Sequence, residues 1–169
     1  MKKTKILMLA QLAVLVSMEV VLSRFLSINT PFLKIGFAFV PTAIAGMYFG
    51  ALPAGAMAVA ADLIGATLFP NGAFFPGFTL SAFLGGLTYG LLLHRSHCLW
   101  RIAAAACVKE ILIGLLLNTY WLTILNGADF FASLVASGRI VQCLAMIPVQ
   151  LAVLTVITKG AERIASARA

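Results

Sequence analysis

Six apolar stretches follow one another along the chain, and each is bounded by charged residues, glycine or proline. They run roughly over Lys5–Leu22, Gly36–Gly50, Pro53–Phe69, Phe78–His94, Ile102–Leu125 and Arg139–Lys159. A helix needs about 20 apolar residues to cross a bilayer, and somewhat fewer where the bilayer thins. Only Ala51 and Leu52 separate the second stretch from the third, which predicts a tight hairpin at Gly50–Pro53. The pattern therefore predicts an all-α polytopic membrane protein, with six transmembrane helices in a single domain over residues 1–169.

The connector between the third and fourth stretches has an unusual composition. It reads GATLFPNGAFFPGFTL, Gly65–Leu80, and contains four phenylalanines but no charge. Proline and glycine break any helix there. Connectors that face water are usually polar, so four phenylalanines without a charge need an explanation.

The composition supports a membrane protein and excludes other classes. Hydrophobic residues make up 62% of the chain and charged residues 10%, against about 25% charged in a soluble domain. The net charge of +7 comes mostly from basic residues at the ends of the stretches, and no basic stripe predicts a nucleic-acid partner. Three cysteines without CxxC spacing give no disulfide framework or metal site. No catalytic motif stands out, so we expect neither an enzyme nor a bound metal.

Lysine and arginine predict the orientation, because they concentrate in cytoplasmic segments. With the N-terminus inside, three basic residues lie at outer ends: Arg24, Lys34 and Arg139. Eight lie at inner ends: Lys2, Lys3, Lys5, Arg95, Arg101, Lys159, Arg163 and Arg168. We therefore expect a multi-pass protein of the cell membrane with both termini cytoplasmic. The basic N-terminus lacks a clear cleavage site, and we interpret it as a retained first helix rather than a signal peptide.

Polar residues recur at one depth of four predicted helices, in the outer half of the membrane. A charge at the bilayer centre costs at least ~2.5–3.5 kcal/mol on insertion scales, so each such residue needs a partner or a function. The residues are Glu19 on the first helix, Asp62 on the third, Asn118 and Trp121 on the fifth, and Arg139 and Gln142 on the sixth. Their convergence predicts a binding site under the outer connectors. The alternative is that they join helices, with Asp62 pairing with Arg139.

Two further features concern the fifth and first helices. Lys109 and Glu110 lie in the inner half of the fifth helix, away from the polar layer. They form either a structural pair that reaches the inner interface, a contact to a partner subunit, or a proton-coupling pair. On the first helix, Ala10, Ala13 and Ser17 place small residues on neighbouring faces. Such spacing allows close approach of another helix, from this protein or from a partner.

Three segments resemble a known family. They are RFLSINTPFLKIGFAFVPTAIAGMYFG (24–50), ADLIGATLFPNGAFFPGFTLSAFLGGLTYG (61–90) and LNTYWLTIL (117–125). They are similar to the folate-specific S components, the substrate-binding membrane subunits of energy-coupling factor (ECF) vitamin transporters. The resemblance implies the six-helix S-component fold and a vitamin site in the outer half, covered by the connectors after helices 1, 3 and 5. In the third connector the lid residues would be Phe69, Pro70, Phe74, Pro76 and Gly77, the alternative being a loop that lies in the lipid headgroup layer. It also implies docking of the first helix, at Ala10, Ala13 and Ser17, on a transmembrane coupling subunit that carries two ATPase subunits.

The resemblance implies folate as the ligand, with no cofactor. Asp62 or Glu19 would accept hydrogen bonds from the pterin N–H groups, Asn118 would complete that edge, and Trp121 with Phe75 would stack on the rings. The outer cations Arg24, Lys34 and Arg139 would hold the glutamate tail, with Gln142 one turn deeper than Arg139. An S component for another flat vitamin or precursor is one alternative, and a membrane scaffold or channel without a ligand is another.

Overall fold

The computed structural model describes residues 2–29, 34–70, 74–94, 98–127, 129–130, 134 and 138–166. Its helices are α1 Lys2–Arg24, α2 Phe39–Phe49, α3 Ala51–Leu68, α4 Pro76–Leu93, α5 Leu99–Cys107, α6 Asn118–Asn126 and α7 Arg139–Ser166. A π-helical segment, Val108–Leu117, joins α5 to α6 without a break. Among these described residues, five spans are long and apolar enough to cross a membrane, and α2 is a shorter apolar helix. The predicted all-helical membrane fold is confirmed.

The hairpin between α2 and α3 is tighter than the sequence predicts. Gly50 alone joins the two helices, with φ at 87°, a left-handed conformation that glycine adopts without strain. Both helices pack on α4, where Gly90 permits the closest approach. A Cβ on Gly90 would lie 2.2 Å from Ala51 Cα, so any side chain there would force α3 and α4 apart.

The segment between α1 and α2 contains a short β-ladder that the sequence analysis did not predict. Strands β1 (Ile28–Asn29) and β2 (Lys34–Ile35) pair antiparallel, with Ile28 opposite Ile35. The ladder takes up residues before α2, which begins at Phe39 rather than at the expected Gly36. Helix α2 has therefore only 11 residues. In the connector before it, the β-ladder pairs backbone N–H and C=O groups that a longer helix would have paired.

The fifth predicted helix, Ile102–Leu125, is continuous but not regular. It runs from Leu99 to Asn126, and its central ten residues are π-helical. Hydrogen bonds in a π-helix join residues five apart, so the turn is wider than in an α-helix and the side chains change direction. Such segments are rare and frequently occur at functional sites.

The buried core lies where α2, α4, α5 and α7 meet. Its fully buried members include Ala43, Tyr89, Leu93 and Leu154. A second cluster, Ala45, Ala54 and Met57, joins α2 and α3. Three side chains of α1 pack against it: Leu12, Leu15 and Val16. The outward faces carry many exposed large apolar side chains, among them Ile6, Leu9, Leu52, Leu91 and Val156. A surface of this kind is suited to lipid rather than to water.

Candidate functional site

A cavity with three adjoining compartments lies around the π-helical segment. The largest has a volume of about 570 Å³ and the second about 270 Å³, and both are lined by Lys109, Gly114, Asn118 and Arg139. The third, of about 140 Å³, shares Lys109 with the other two. Because the compartments share wall residues, they form one branched site. Its size matches the ~300–1,000 Å³ of small-molecule pockets.

The two predicted carboxylates line different compartments, and each accepts a hydrogen bond from a threonine. Glu19 of α1 lines the smallest compartment, and its Oε2 accepts from Thr42 Oγ1 at 2.8 Å. Asp62 of α3 lines the largest, and its Oδ2 accepts from Thr79 Oγ1 at 2.7 Å. A carboxylate has about four lone-pair sites. Both groups can therefore accept further hydrogen bonds from the N–H groups of a ligand.

Two predicted arginines reach the cavity from the ends of α1 and α7. Arg24 occupies space beside Gly65, where a Cβ would lie 2.8 Å from the Arg24 Nε. Arg139 Nη1 donates to Gly114 O at 3.1 Å. The Nε of each arginine is buried without a hydrogen-bond partner. Among the described residues Arg139 forms no ion pair with Asp62, so the alternative in which that pair joins the helices is wrong.

Amide side chains complete the polar lining. Asn118 lines both larger compartments, and its Oδ1 is buried without a hydrogen-bond partner. Gln142 lines the 270 Å³ compartment. Lys34, the third predicted outer cation, belongs to β2, and its side chain lies outside the described part of the structure. The structure thus brings Glu19, Arg24, Asp62, Asn118, Arg139 and Gln142 to one branched cavity.

An aromatic wall closes one side of the largest compartment. Phe75 lines it, and its ring lies 5.7 Å from the Trp121 ring and 6.1 Å from the Phe78 ring between centroids. The Trp121 indole packs behind Phe75, and its Nε1 donates to Ser81 Oγ at 3.1 Å. A Cβ on Gly77 would lie 2.4 Å from Trp121 Cδ2, so glycine is needed beneath the indole. Trp121 therefore supports the wall, and Phe75 faces the cavity.

The other residues of the predicted lid take different positions around this wall. Pro70 and Phe74 line the largest compartment. Phe69 packs against Phe25 at the end of α1, edge to face, with ring centroids 5.2 Å apart. Pro76 is the first residue of α4, where its missing N–H and fixed φ are tolerated. Residues 71–73, in the middle of the connector, lie outside the described part of the chain.

Helix α1 turns its small residues outward. Ala10, Ala13 and Ser17 are all exposed, and Ser17 Oγ donates to Ala13 O at 3.0 Å, so its hydroxyl is satisfied within the helix. The inward face of the same helix holds Leu12 and Leu15, which pack on α2 and α3. The three small residues are thus not covered by the described helices of this protein.

Lys109 is the residue that the sequence analysis placed wrongly. It was expected in the inner half of its helix, away from the polar layer, yet it lines all three compartments, and its Nζ lies 2.6 Å from Glu110 Oε1. An α-helical periodicity turns Lys109 away from the face that holds Gly114 and Asn118. In the π-helix the turn is wider, so side-chain directions shift, and Lys109 lines the cavity together with Gly114. Nothing in the sequence marks the segment as π-helical.

Three hydroxyl groups were also missed: Thr42, Thr79 and Ser81, which bond to Glu19, Asp62 and Trp121. Serine and threonine in apolar helices often bond to the backbone of the preceding turn, as Thr88 and Thr155 do here. Their type alone therefore does not indicate a role, and only the packing of one helix on another distinguishes them.

Comparisons with known proteins agree with this architecture. A protein named folate transporter FolT from Clostridium novyi is 43% identical over 128 residues, which cover 75% of this chain and 73% of that protein. A folate transporter FolT from Leuconostoc mesenteroides is 33% identical over 147 residues, covering 84% and 79%. A crystal structure described as FolT bound with folic acid superimposes with a TM-score of 0.81 at 34% identity, covering 87% of this chain and 91% of that one.

The family defined as "ECF transporter, substrate-specific component" matches residues 7–158. That match includes most of every membrane helix and every described residue that lines the cavity. Members of the family bind the substrate of a transporter, and they are not enzymes. This chain is therefore a multi-pass membrane protein that belongs to the substrate-specific components of ECF transporters.

Proposed function

We propose that the chain binds folate in the branched cavity and delivers it to an ATP-driven importer. The observation that carries the proposal is that one site combines hydrogen-bonding groups, aromatic rings and cations. A carboxylate, Asp62, and an amide, Asn118, lie beside an aromatic wall, with two arginines nearer the helix ends. Folate has a pterin edge rich in N–H groups, an aromatic bridge and a tail with two carboxylates. Each part of the ligand thus has a partner of matching chemistry.

The similarity to proteins named folate transporter, and to a structure with folic acid, supports folate over other flat vitamins. In our assignment the pterin lies in the 570 Å³ compartment against Phe75, where Asp62 accepts from its N–H groups. The glutamate tail extends toward Arg24 and Arg139, whose buried Nε groups lack partners among the described residues. The connectors after α1, α3 and α6 cover the site from outside the cell.

Energy for transport comes from other subunits in this proposal. We assign the exposed small residues of α1, Ala10, Ala13 and Ser17, to contact with a transmembrane coupling subunit that carries two ATPase subunits. Close helix contact in a membrane relies on small side chains, because lipid tails are as apolar as leucine and give no hydrophobic driving force. Both termini are then cytoplasmic, and the cavity opens toward the outer surface.

Purification from cells that contain folates tests the ligand directly. We expect the protein to retain a bound compound with the ultraviolet spectrum of a folate, which mass spectrometry of the denatured protein identifies. Isothermal titration of the emptied protein should then give saturable folate binding. A retained riboflavin or thiamine would assign the chain to a different vitamin. If no vitamin binds saturably, the alternative of a membrane scaffold without a ligand remains.

A further inference from the structure

Lys109 holds a position that the proposed folate contacts do not use. It lines all three compartments, and no other described residue does so. Its side chain is 28% exposed and lines the cavity beside the polar groups of Asp62 and Asn118. A lysine ammonium has three N–H donors, and one is accounted for by Glu110. The remaining donors are available at the junction of the three compartments.

A chain of buried hydrogen bonds fixes the position of this ammonium. Tyr89 OH donates to Gln150 Oε1 at 2.9 Å, and Gln150 Nε2 donates to Glu110 Oε1 at 2.5 Å. The same Oε1 accepts from Lys109 Nζ at 2.6 Å. The exposed fraction is 1% for Tyr89, 0% for Gln150 and 5% for Glu110. The chain therefore runs from the core of α4, through α7, to the centre of the cavity.

The buried polar chain gives the fold no stability that apolar side chains could not give. Burying a polar group in an apolar environment costs several kcal/mol unless it is paired, and an apolar set of similar volume is often as stable as a buried ion pair. Here Tyr89 and Leu93 of α4 pack among the apolar core residues, and a polar chain crosses that core only to reach one lysine. A lysine held by a rigid acceptor loses less side-chain entropy when it binds a ligand.

We propose that Lys109 is a ligand-contacting cation that recognises the ring end of the substrate, and that Glu110, Gln150 and Tyr89 are positioning residues for its ammonium. The acceptor it fits is a ring carbonyl oxygen flanked by ring nitrogens, which in folate is the 4-oxo group of the pterin. The tail is excluded as its partner because Arg24 and Arg139 lie at the helix ends, whereas Lys109 is deeper than Asn118 along the helix. The assignment rests on the proposed function.

The first experiment compares folate with pteroate, which has the same rings but no glutamate. Lys109→Met removes the ammonium and should weaken binding of both ligands by the same factor, about 10- to 100-fold, the range for a hydrogen bond to a charged group. Lys159→Met, the same substitution at an exposed lysine of α7, should leave both affinities unchanged. If Lys109→Met fails to fold, Lys109→Gln replaces it, because glutamine keeps an N–H donor for Glu110. This variant should also weaken binding of both ligands.

The outcomes separate this inference from the proposed function. If the unaltered protein binds neither ligand, the proposed function fails and this inference fails with it. If it binds both but Lys109→Met and Lys109→Gln bind them with unchanged affinity, only this inference is overturned. A loss confined to folate, with pteroate unaffected, would assign Lys109 to the tail and contradict recognition of the ring end.

The second experiment tests whether the buried chain acts through Lys109. Gln150→Met and Tyr89→Phe should each weaken folate binding severalfold in the unaltered background. In the Lys109→Met background neither should cause any further loss, because residues that act through a shared partner are not additive. Tyr48→Phe, an exposed tyrosine on α2, is the matched control. Losses that multiply, together with a lower melting temperature of the ligand-free protein, would mean that the chain only stabilises the core.

Discussion

At the scale of single residues, three buried polar atoms stand out: Arg24 Nε, Asn118 Oδ1 and Arg139 Nε. They have no hydrogen-bond partner among the described residues, and all three residues line the cavity. A buried donor or acceptor left unpaired costs about 1–3 kcal/mol. A ligand that pairs with them recovers that free energy on binding. The unpaired atoms therefore mark the positions at which side-chain substitutions should affect affinity most directly.

Asn118 gives the simplest test of this idea. Asn118→Ala removes an amide at the junction of the two larger compartments and should reduce the free energy of folate binding by about 1–3 kcal/mol. Isothermal titration of the purified variant measures the change. Gln11→Ala, which removes an exposed amide from α1, should bind folate as the unaltered protein does. Unchanged affinity in Asn118→Ala would place the ligand away from this junction.

Arg139 tests the assignment of the glutamate tail. Arg139→Met removes a charge near the outer end of α7 and should weaken folate more than pteroate, which lacks the tail. Because the Arg139 Nε is buried and buried pairs are screened little by salt, the difference between the two ligands should persist as ionic strength rises. Arg101→Met, at the opposite end of the helices, is the control. Equal losses for both ligands at every salt concentration would mean that Arg139 only anchors its helix.

At the scale of elements, α1 has two different faces. The inward face packs Leu12, Leu15 and Val16 on the core, and Glu19 reaches the cavity from the same helix. The outward face presents Ala10 and the other small residues. In the proposed function, binding of the ligand and contact with a partner subunit depend on different residues of this helix, so a substitution should affect the second without the first.

Ala13→Trp exploits this separation. A bulky side chain on the exposed face should block close approach of another helix but leave the cavity intact. We expect the isolated variant to bind folate normally and cells that contain the coupling and ATPase subunits to show no folate uptake. Ala152→Trp, on an exposed face of α7, should retain both binding and uptake. Uptake by Ala13→Trp at the unaltered rate would rule out this face of α1 as the contact.

Helix α4 depends on glycine for its packing, and Gly90→Ala tests that dependence. A Cβ at this position would lie 2.2 Å from Ala51 Cα, and overpacking of this kind costs about 1–3 kcal/mol. The control is Gly85→Ala in the same helix, where a Cβ meets nothing within 4 Å. Both changes give the same gain in helix propensity, so the difference in free energy of unfolding in detergent measures the clash. A Gly90→Ala variant as stable as Gly85→Ala would contradict the close packing of α3 and α4.

At the scale of the whole molecule, the cavity needs most of the helices at once. Its walls come from α1, α2, α3, α4, α6 and α7 together with the π-helical segment. No pair of neighbouring helices forms the site, so binding requires the assembled bundle. A ligand that contacts several helices stabilises the folded state by mass action, about 2.7 kcal/mol when its concentration is 100 times its Kd.

The orientation of the bundle can be tested with the cysteines already present. Cys98 is exposed at the start of α5, Cys107 is half-buried and Cys143 is buried. With both termini cytoplasmic, a membrane-impermeant maleimide should label Cys98 in inside-out vesicles but not in intact cells, and Cys98→Ser should abolish the signal. In that variant, a cysteine at exposed Asp129 should be labelled in intact cells. The reverse pattern of labelling would invert the proposed topology.

The sequence by itself determined the six apolar helices, the membrane environment and most of the polar lining. Apolar length and charge placement act locally, so each span can be recognised without its neighbours. The same holds for Glu19, Asp62, Asn118 and Arg139, because an ionisable or amide group inside an apolar helix stands out at once. The resemblance in the first connector, the third connector and LNTYWL indicated the family before any contact was known.

Only the tertiary structure decided which way the central side chains point. Lys109 faces the cavity because the backbone of its segment is π-helical, and hydrophobic periodicity cannot distinguish that geometry from a regular α-helix. Trp121 lies behind Phe75 because Gly77 on another helix makes room for its indole. The partner of Glu110, Gln150, is 40 residues away along the chain. The direction of a side chain and its hydrogen-bond partner depend on how helices distant in sequence pack together. The order of residues does not specify that packing.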